Sequence, residues 1–152
     1  GSRYIFPGGH IELGESTSEA VVREVLEEVH VHTHVNRLVC VHEYLFYDRD
    51  GNRYNEMAYY YLLDTLEDTI PKEETFMLSE IDKGSYREHT YRWADVNSQY
   101  FHNAQPRAVI DAIIANNIAT TPFNTSHKNT NATTFLPRTL IAFVDPIFFD
   151  PC

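Results

Sequence analysis

Residues 9–31 read GHIELGESTSEAVVREVLEEVHV. This stretch changes character at Ser16. Before it, glycines at 9 and 14 bracket a polar loop. Ser16 or Thr17 then suits a helix N-cap, and Glu19 stands at capping-box distance from Ser16. From there Val22, Val25, Leu26 and Val29 recur at i, i+3, i+4 and i+7, which predicts a helix to about Val29 with one apolar stripe.

The same helix carries Glu24, Glu27 and Glu28, which at about 100° per residue centre on the face opposite that stripe. Carboxylates crowded within one turn repel one another. A divalent cation reverses the sign, because Mg²⁺ and Mn²⁺ prefer oxygen ligands. Glu15 can lean over the same place from the loop. Arg23, one i, i+4 step before Glu27, can orient it. A Glu-rich amphipathic helix taken alone is more often a solvated acidic face, so the flanking spacing has to decide.

Gly9, five residues, Glu15, seven residues, then Arg23-Glu24-Val25-Leu26-Glu27-Glu28-Val29-His30-Val31 resembles the Nudix box, G-x5-E-x7-R-E-U-x-E-E-x-G-U, where U is aliphatic. Eight of the nine specified positions match. The approach Phe6-Pro7-Gly8-Gly9-His10-Ile11-Glu12 is similar to that of the family as well. The departure is His30, where the box has a Gly that commonly ends the helix in a left-handed conformation. No acidic position of the box is lost.

The resemblance covers roughly residues 3–115. It implies an α/β (α+β) fold, a Nudix-like α/β/α sandwich with a mixed β-sheet. It also implies Mg²⁺- or Mn²⁺-dependent hydrolysis of a nucleoside diphosphate linked to another group, with a small phosphorylated nucleotide as substrate. On that match Glu24, Glu27 and Glu28 are the main metal ligands, Glu15 is a further ligand or support, and Arg23 orients them. The backbone at Gly8 and Gly9 shapes the loop, and the Gly9 carbonyl is a candidate ligand. A carboxylate then takes the proton of the attacking water: Glu24, or a Glu on a later element. Glu56 leads the outside candidates, ahead of Glu43, Glu73, Glu74, Glu80 and Glu88. The rival reading is a catalytically silent Nudix-like binding or regulatory module, or a truncated fragment.

The rest of the chain predicts the remaining elements. Arg3 to Phe6 reads as a short strand stopped by Pro7-Gly8-Gly9. Residues 34–48 and 53–64 are rich in β-branched and aromatic side chains around Asp48-Arg49-Asp50-Gly51-Asn52, a hairpin signal. Pro71 to Gly84 is charged and reads as loop, and Tyr86 to Trp93 as a third long strand. Pro106 suits the first turn of a helix over about Gln105 to Ala115, with Val109, Ile110, Ile113 and Ile114 as its apolar side.

Residues 1–116 thus form the Nudix-like domain. Residues 117–152 form an Asn/Thr-rich linker and an apolar tail. Family members usually carry strands before the box, whereas Gly9 follows only eight residues here. The expected sheet therefore lacks its usual N-terminal strands. Thr139 to Val144 is a candidate strand to fill the gap from the other end. An unfilled edge would invite association, such as a homodimer.

Bulk properties narrow the classes. With 12 basic against 22 acidic side chains the formal charge is −10, which disfavours a nucleic-acid duplex or a membrane surface as partner. At 43% hydrophobic residues over 152 positions, one folded domain with its own core is expected. Cys40 and Cys152 form no disulfide framework or metal spacing, and no leader is visible, so a reducing cytoplasm is the expected compartment. Asn124-Thr125-Ser126 and Asn131-Ala132-Thr133 are read as chance glycosylation matches.

His30, His32 and His34 alternate along a strand start, where exposed polar positions are commoner than a metal site. Tyr4, Tyr47, Tyr54, Tyr91 and Trp93 are candidates to stack on a base, although strand aromatics are more often core. Arg87 and Arg92 are candidate phosphate ligands.

Overall fold

A computed structural model describes residues 4–66, 73–82, 84–116 and 139–146. Four strands form the main sheet, in the order β1-β6-β3-β2. These are β1 (Gly8–Ile11), β2 (Thr33–Tyr47), β3 (Arg53–Thr65) and β6 (Thr139–Pro146). β1 pairs with β6 in parallel, while β6 with β3 and β3 with β2 are antiparallel, so the sheet is mixed. β6, from the far end of the chain, lies between β1 and β3 and joins them into one sheet.

Alternation along β3 divides the core in two. Tyr61 and Leu63 face the helix α1 (Thr17–Val29), together with Leu140, Ala142 and Val144 of β6. Ala58, Tyr60 and Leu62 face α3 (Arg107–Ala115) and the one-turn helix α2 (Gln99–His102), together with Ile141. The result is helix, sheet, helix, the α/β/α layering that the resemblance implies. Among the described residues no helix is long and apolar enough to cross a membrane.

Several elements differ from expectation. The first strand among the described residues is Gly8–Ile11; of the expected Arg3 to Phe6 strand, Arg3 lies outside the described residues, and within Tyr4 to Phe6 only Ile5 makes a bridge, to Gln105. Pairing with β6 draws the chain into the sheet at the two glycines themselves, because a Cβ on Gly8 would lie 2.2 Å from the Phe143 carbonyl oxygen. Pro71 to Gly84 is not loop throughout: Thr75–Asp82 forms β4, paired antiparallel with β5 (Ser85–Arg92), and Gly84 turns at φ +80. Phe76 and Leu78 pack on the core from alternate positions, a strand signal masked by the flanking charges. Pro71 and Lys72 lie outside the described residues.

α3 starts at Arg107, one step inside an extended Pro106, rather than at Gln105. The linker reading of residues 117–134 falls outside the described residues.

α1 also turns a different side inward. Ala20, Val21, Val25 and Val29 are buried, while Leu26 is 38% exposed. In projection down the axis, Glu24 and Glu28 both fall between Ala20 and Val21. The carboxylates therefore border the buried face instead of opposing it, and they meet β1.

Candidate functional site

The site begins with a cap. Ser16 accepts from the Glu19 amide, and the Glu19 carboxylate accepts from the Ser16 amide, which is the reciprocal box read from the sequence. The Thr17 hydroxyl bonds that of Tyr61 on β3, tying the first turn of α1 to the sheet. At the other end His30 takes the left-handed conformation (φ 60, ψ 32), and its amide donates to the Leu26 carbonyl. The non-glycine residue thus accepts the geometry that the box reserves for Gly.

β1 runs beside α1, and glycine sets the spacing. A Cβ on Gly9 would lie 2.4 Å from the Glu24 carboxyl carbon and from Oε2. The Gly8 amide donates to Glu28 Oε2 at 3.2 Å. The two acidic side chains thus lean on two successive residues of β1.

Arg23 organises the rest. Its Nε and Nη2 donate to the two oxygens of Glu15 at 2.6 and 3.0 Å, a bidentate pair. Nη1 donates to Glu24 Oε1 at 2.9 Å and to Glu27 Oε2 at 3.1 Å, and Nη2 to the His10 carbonyl at 2.8 Å. All five guanidinium N–H groups are thereby used. Glu15 in turn accepts from the Glu12 amide at 2.9 Å. The loop, the helix and the end of β1 are held by one side chain.

These contacts set the protonation behaviour. Hydrogen bonds from Arg23 and from the Glu12 amide hold the Glu15 carboxyl below the usual range. Burial pushes Glu24 upward, and the Glu27 charge adds to this, against the opposing pull of Arg23. The guanidinium is held more firmly protonated, chiefly through Glu15. Glu27 is the solvent-facing member, its side chain 57% exposed against 14% for Glu24.

Glu15, Glu24, Glu27 and Arg23 are thus brought into one cluster, with Glu28 on the adjoining residue of β1. Glu56 is not. It shares the strand parity of Ala58, Tyr60 and Leu62, so alternation places it on the α3 side of the sheet, away from α1. The weaker candidates are occupied elsewhere: Glu43 accepts from Asn55, Glu74 from Arg92 and Glu88 from Tyr86. Glu73 is exposed, and the Glu80 side chain lies outside the description.

His30, His32 and His34 are exposed, and His34 Nε2 lies 3.3 Å from Asp64. Among the described residues no three His, Cys, Asp or Glu side chains are already gathered as a metal cage. Glu15, Glu24, Glu27 and the His10 carbonyl, gathered on Arg23, offer carboxylate and carbonyl oxygens, the type that a hard divalent cation takes. A half-buried carboxylate beside a second acid is also stabilised by added positive charge.

Beside Gly8 and Glu28 opens a cavity of about 430 Å³, lined mainly by apolar and aromatic side chains. Of the aromatic candidates, Tyr4, Tyr91 and Trp93 line it, and Arg92 does so as well. Tyr47 and Tyr54 stand exposed on the β2–β3 hairpin, where Tyr54 stacks on Phe46. Arg87 does not line the cavity. Sequence reasoning missed Phe76 and Tyr100 here. The Phe76/Leu78 alternation was the available signal for the first, and Tyr100 on its single helical turn offered none.

The family model for the NUDIX domain matches residues 1–111. No curated protein and no solved structure matches the chain.

Proposed function

This chain belongs to the Nudix family, and we propose that it is a hydrolase that cleaves the diphosphate of a nucleoside diphosphate joined to another group, using Mg²⁺ or Mn²⁺. Membership supports hydrolysis of pyrophosphate bonds in general. The finer reading rests on one observation: Arg23 holds Glu15, Glu24 and Glu27 together where Gly9 leaves room for the Glu24 carboxylate.

In this reading Glu24, Glu27 and Glu28 hold the cation, with Glu15 in support and the Gly9 carbonyl adjacent. The ion supplies positive charge that draws the diphosphate to an acidic protein, polarises a phosphoryl oxygen and makes water more acidic. The chain's own groups do the rest. Glu27, exposed, meets substrate from solvent. Glu24, whose proton affinity burial raises, accepts the proton of the attacking water at a carboxylate oxygen. Arg23 fixes the orientation of both. Gly8 and Gly9 let β1 approach without a side chain in the way.

A panel of nucleoside triphosphates, dinucleotides and nucleoside diphosphate sugars, assayed with Mg²⁺ or Mn²⁺ and again with chelator, tests the proposal. Metal-dependent release of a nucleotide from at least one member is expected. Absence of turnover across the panel would favour the silent binding module instead.

A further inference from the structure

We infer that Tyr61 is a positioning residue for the carboxylate site: its hydroxyl, acting through Thr17, sets where α1 lies along the sheet and so how Glu24 meets Gly9. This rests on the proposed hydrolysis for what the site does.

The fit at the site leaves little play. Glu24 rides on α1 and Gly9 on β1, and a Cβ at position 9 would lie 2.4 Å from Glu24 Oε2. A slide of α1 by about 1 Å alters that approach, and a misplacement of this size is costly in rate even when its origin is remote. The chemistry therefore depends on what fixes α1 lengthwise. Its buried face is Ala20, Val21, Val25 and Val29, all short apolar side chains. Their attraction to the sheet is non-directional, whereas a hydrogen bond fixes a distance and an angle.

The polar contacts between α1 and the sheet differ in kind. Arg23 donates to the His10 carbonyl at 2.8 Å, and Glu28 accepts from the Gly8 amide at 3.2 Å. Both use side chains that the proposed reaction engages with cation or substrate. The bond between the Thr17 and Tyr61 hydroxyls uses neither. It joins two uncharged groups and keeps its partners whatever the carboxylates bind.

The two ends of that bond are well placed for the task. Tyr61 is 8% exposed, and its ring packs in the core under α1. It stands on β3, where it pairs with Leu38 of β2 on one side and Ala142 of β6 on the other. A strand paired on both edges is a firm platform for a supporting contact. Thr17 opens α1 and precedes Glu24 by seven residues, so the two lie on one side of the helix about 10 Å apart along its axis. Thr17 also follows directly on Ser16, the cap, and Glu15, the bidentate partner of Arg23. One bond thus anchors both the helix and the end of the loop.

The test compares Tyr61→Phe, which keeps the ring, with Thr17→Val, Thr17→Ser and the double variant Tyr61→Phe/Thr17→Val. Mn²⁺ binding is read on substrate-free protein by electron paramagnetic resonance, turnover on the panel, and folding by urea melts. Tyr61→Phe and Thr17→Val should each weaken Mn²⁺ binding at least about threefold and lower kcat about tenfold, with KM within about twofold of wild type. The double variant should be no worse than either single one, because both remove the same bond. Thr17→Ser, which keeps the hydroxyl, should stay close to wild type. A Tyr61→Phe protein with unchanged Mn²⁺ affinity and kcat, and only a lowered melting midpoint, would overturn the inference. Losses that multiply in the double variant would overturn it as well. The two readings fail separately. Wild type that binds Mn²⁺ without turning over any substrate removes the hydrolase, and the Mn²⁺ affinities still decide the role of Tyr61. Turnover with equal affinities and kcat in wild type and Tyr61→Phe keeps the hydrolase and removes Tyr61.

Discussion

Glu24 occupies the space that a side chain on Gly9 would need. The Cβ of any residue at position 9 would lie 2.4 Å from the Glu24 carboxyl carbon. The group that would meet it is the mobile end of a side chain, not backbone. Gly8 differs: its Cβ would meet the Phe143 carbonyl oxygen at 2.2 Å.

The two glycines therefore separate stability from activity. Gly9→Ala should push the Glu24 carboxylate aside, leave stability within about 1 kcal/mol and lower turnover at least tenfold. Gly8→Ala should force β1 from β6 and cost about 1–3 kcal/mol, the usual range for overpacking. Urea melts beside turnover assays check both. Equal stability losses in the two variants would contradict the geometry.

Arg23→Lys keeps the charge and loses the fork. Lysine cannot bind Glu15 bidentately while reaching Glu24, Glu27 and the His10 carbonyl. The expected cost is about 1–2 kcal/mol, with a fall in kcat larger than any change in KM. A variant indistinguishable from wild type in both would remove Arg23 as the organiser.

The carboxyl shifts have opposite signs in stability. Glu24 is raised in the fold, so it opposes folding above its folded value, and the penalty vanishes below the ordinary glutamate value. Metal-free Glu24→Gln should melt no lower than wild type at pH 7, with the difference closing as the pH falls toward 4. Glu15 is lowered. Its contribution is present above the ordinary value and lost as the pH falls through the depressed one. Glu15→Gln should melt below wild type at pH 7, and that deficit should shrink in acid. Thermal melts from about pH 2 to 8 read both trends.

His30→Gly should stabilise the chain. A left-handed conformation costs a non-glycine residue roughly 1 kcal/mol, and His30 holds φ 60. The greater unfolded-state freedom of glycine offsets part of the gain, so a rise of a few tenths of a kcal/mol is expected, measured by urea melts. A loss of stability would mean that the His30 side chain contributes more than its backbone costs.

Much of this architecture was readable where local rules and tertiary packing agree. The Ser16/Glu19 box, the α1 span and the hairpin around Gly51 follow from short-range chemistry, and the structure places all three as expected. The failures arise where a partner distant in sequence decides. Gly8 and Gly9 read as a strand breaker because nothing local shows that β6 will pair with them. The strand at Thr75 was hidden because Glu73 and Glu74 flank its two inward apolar positions. The face of Glu56 is fixed by β3 parity relative to α1, and α1 itself is turned toward Val21 rather than Leu26. The acidic residues were legible as a set. That Arg23 binds three of them at once was not, since it depends on how the loop folds back from Glu12 to Glu15.

The central claim is that the carboxylates gathered by Arg23 carry a metal-dependent hydrolysis. The most direct measurement is the rate of diphosphate cleavage against Mg²⁺ or Mn²⁺ concentration for wild type and Glu27→Gln, using the best substrate of the panel. The account predicts saturable dependence on metal in wild type and a drop of at least a hundredfold in the variant, with both proteins folded. Equal rates in the two proteins, or a wild-type rate indifferent to metal and chelator, would contradict it.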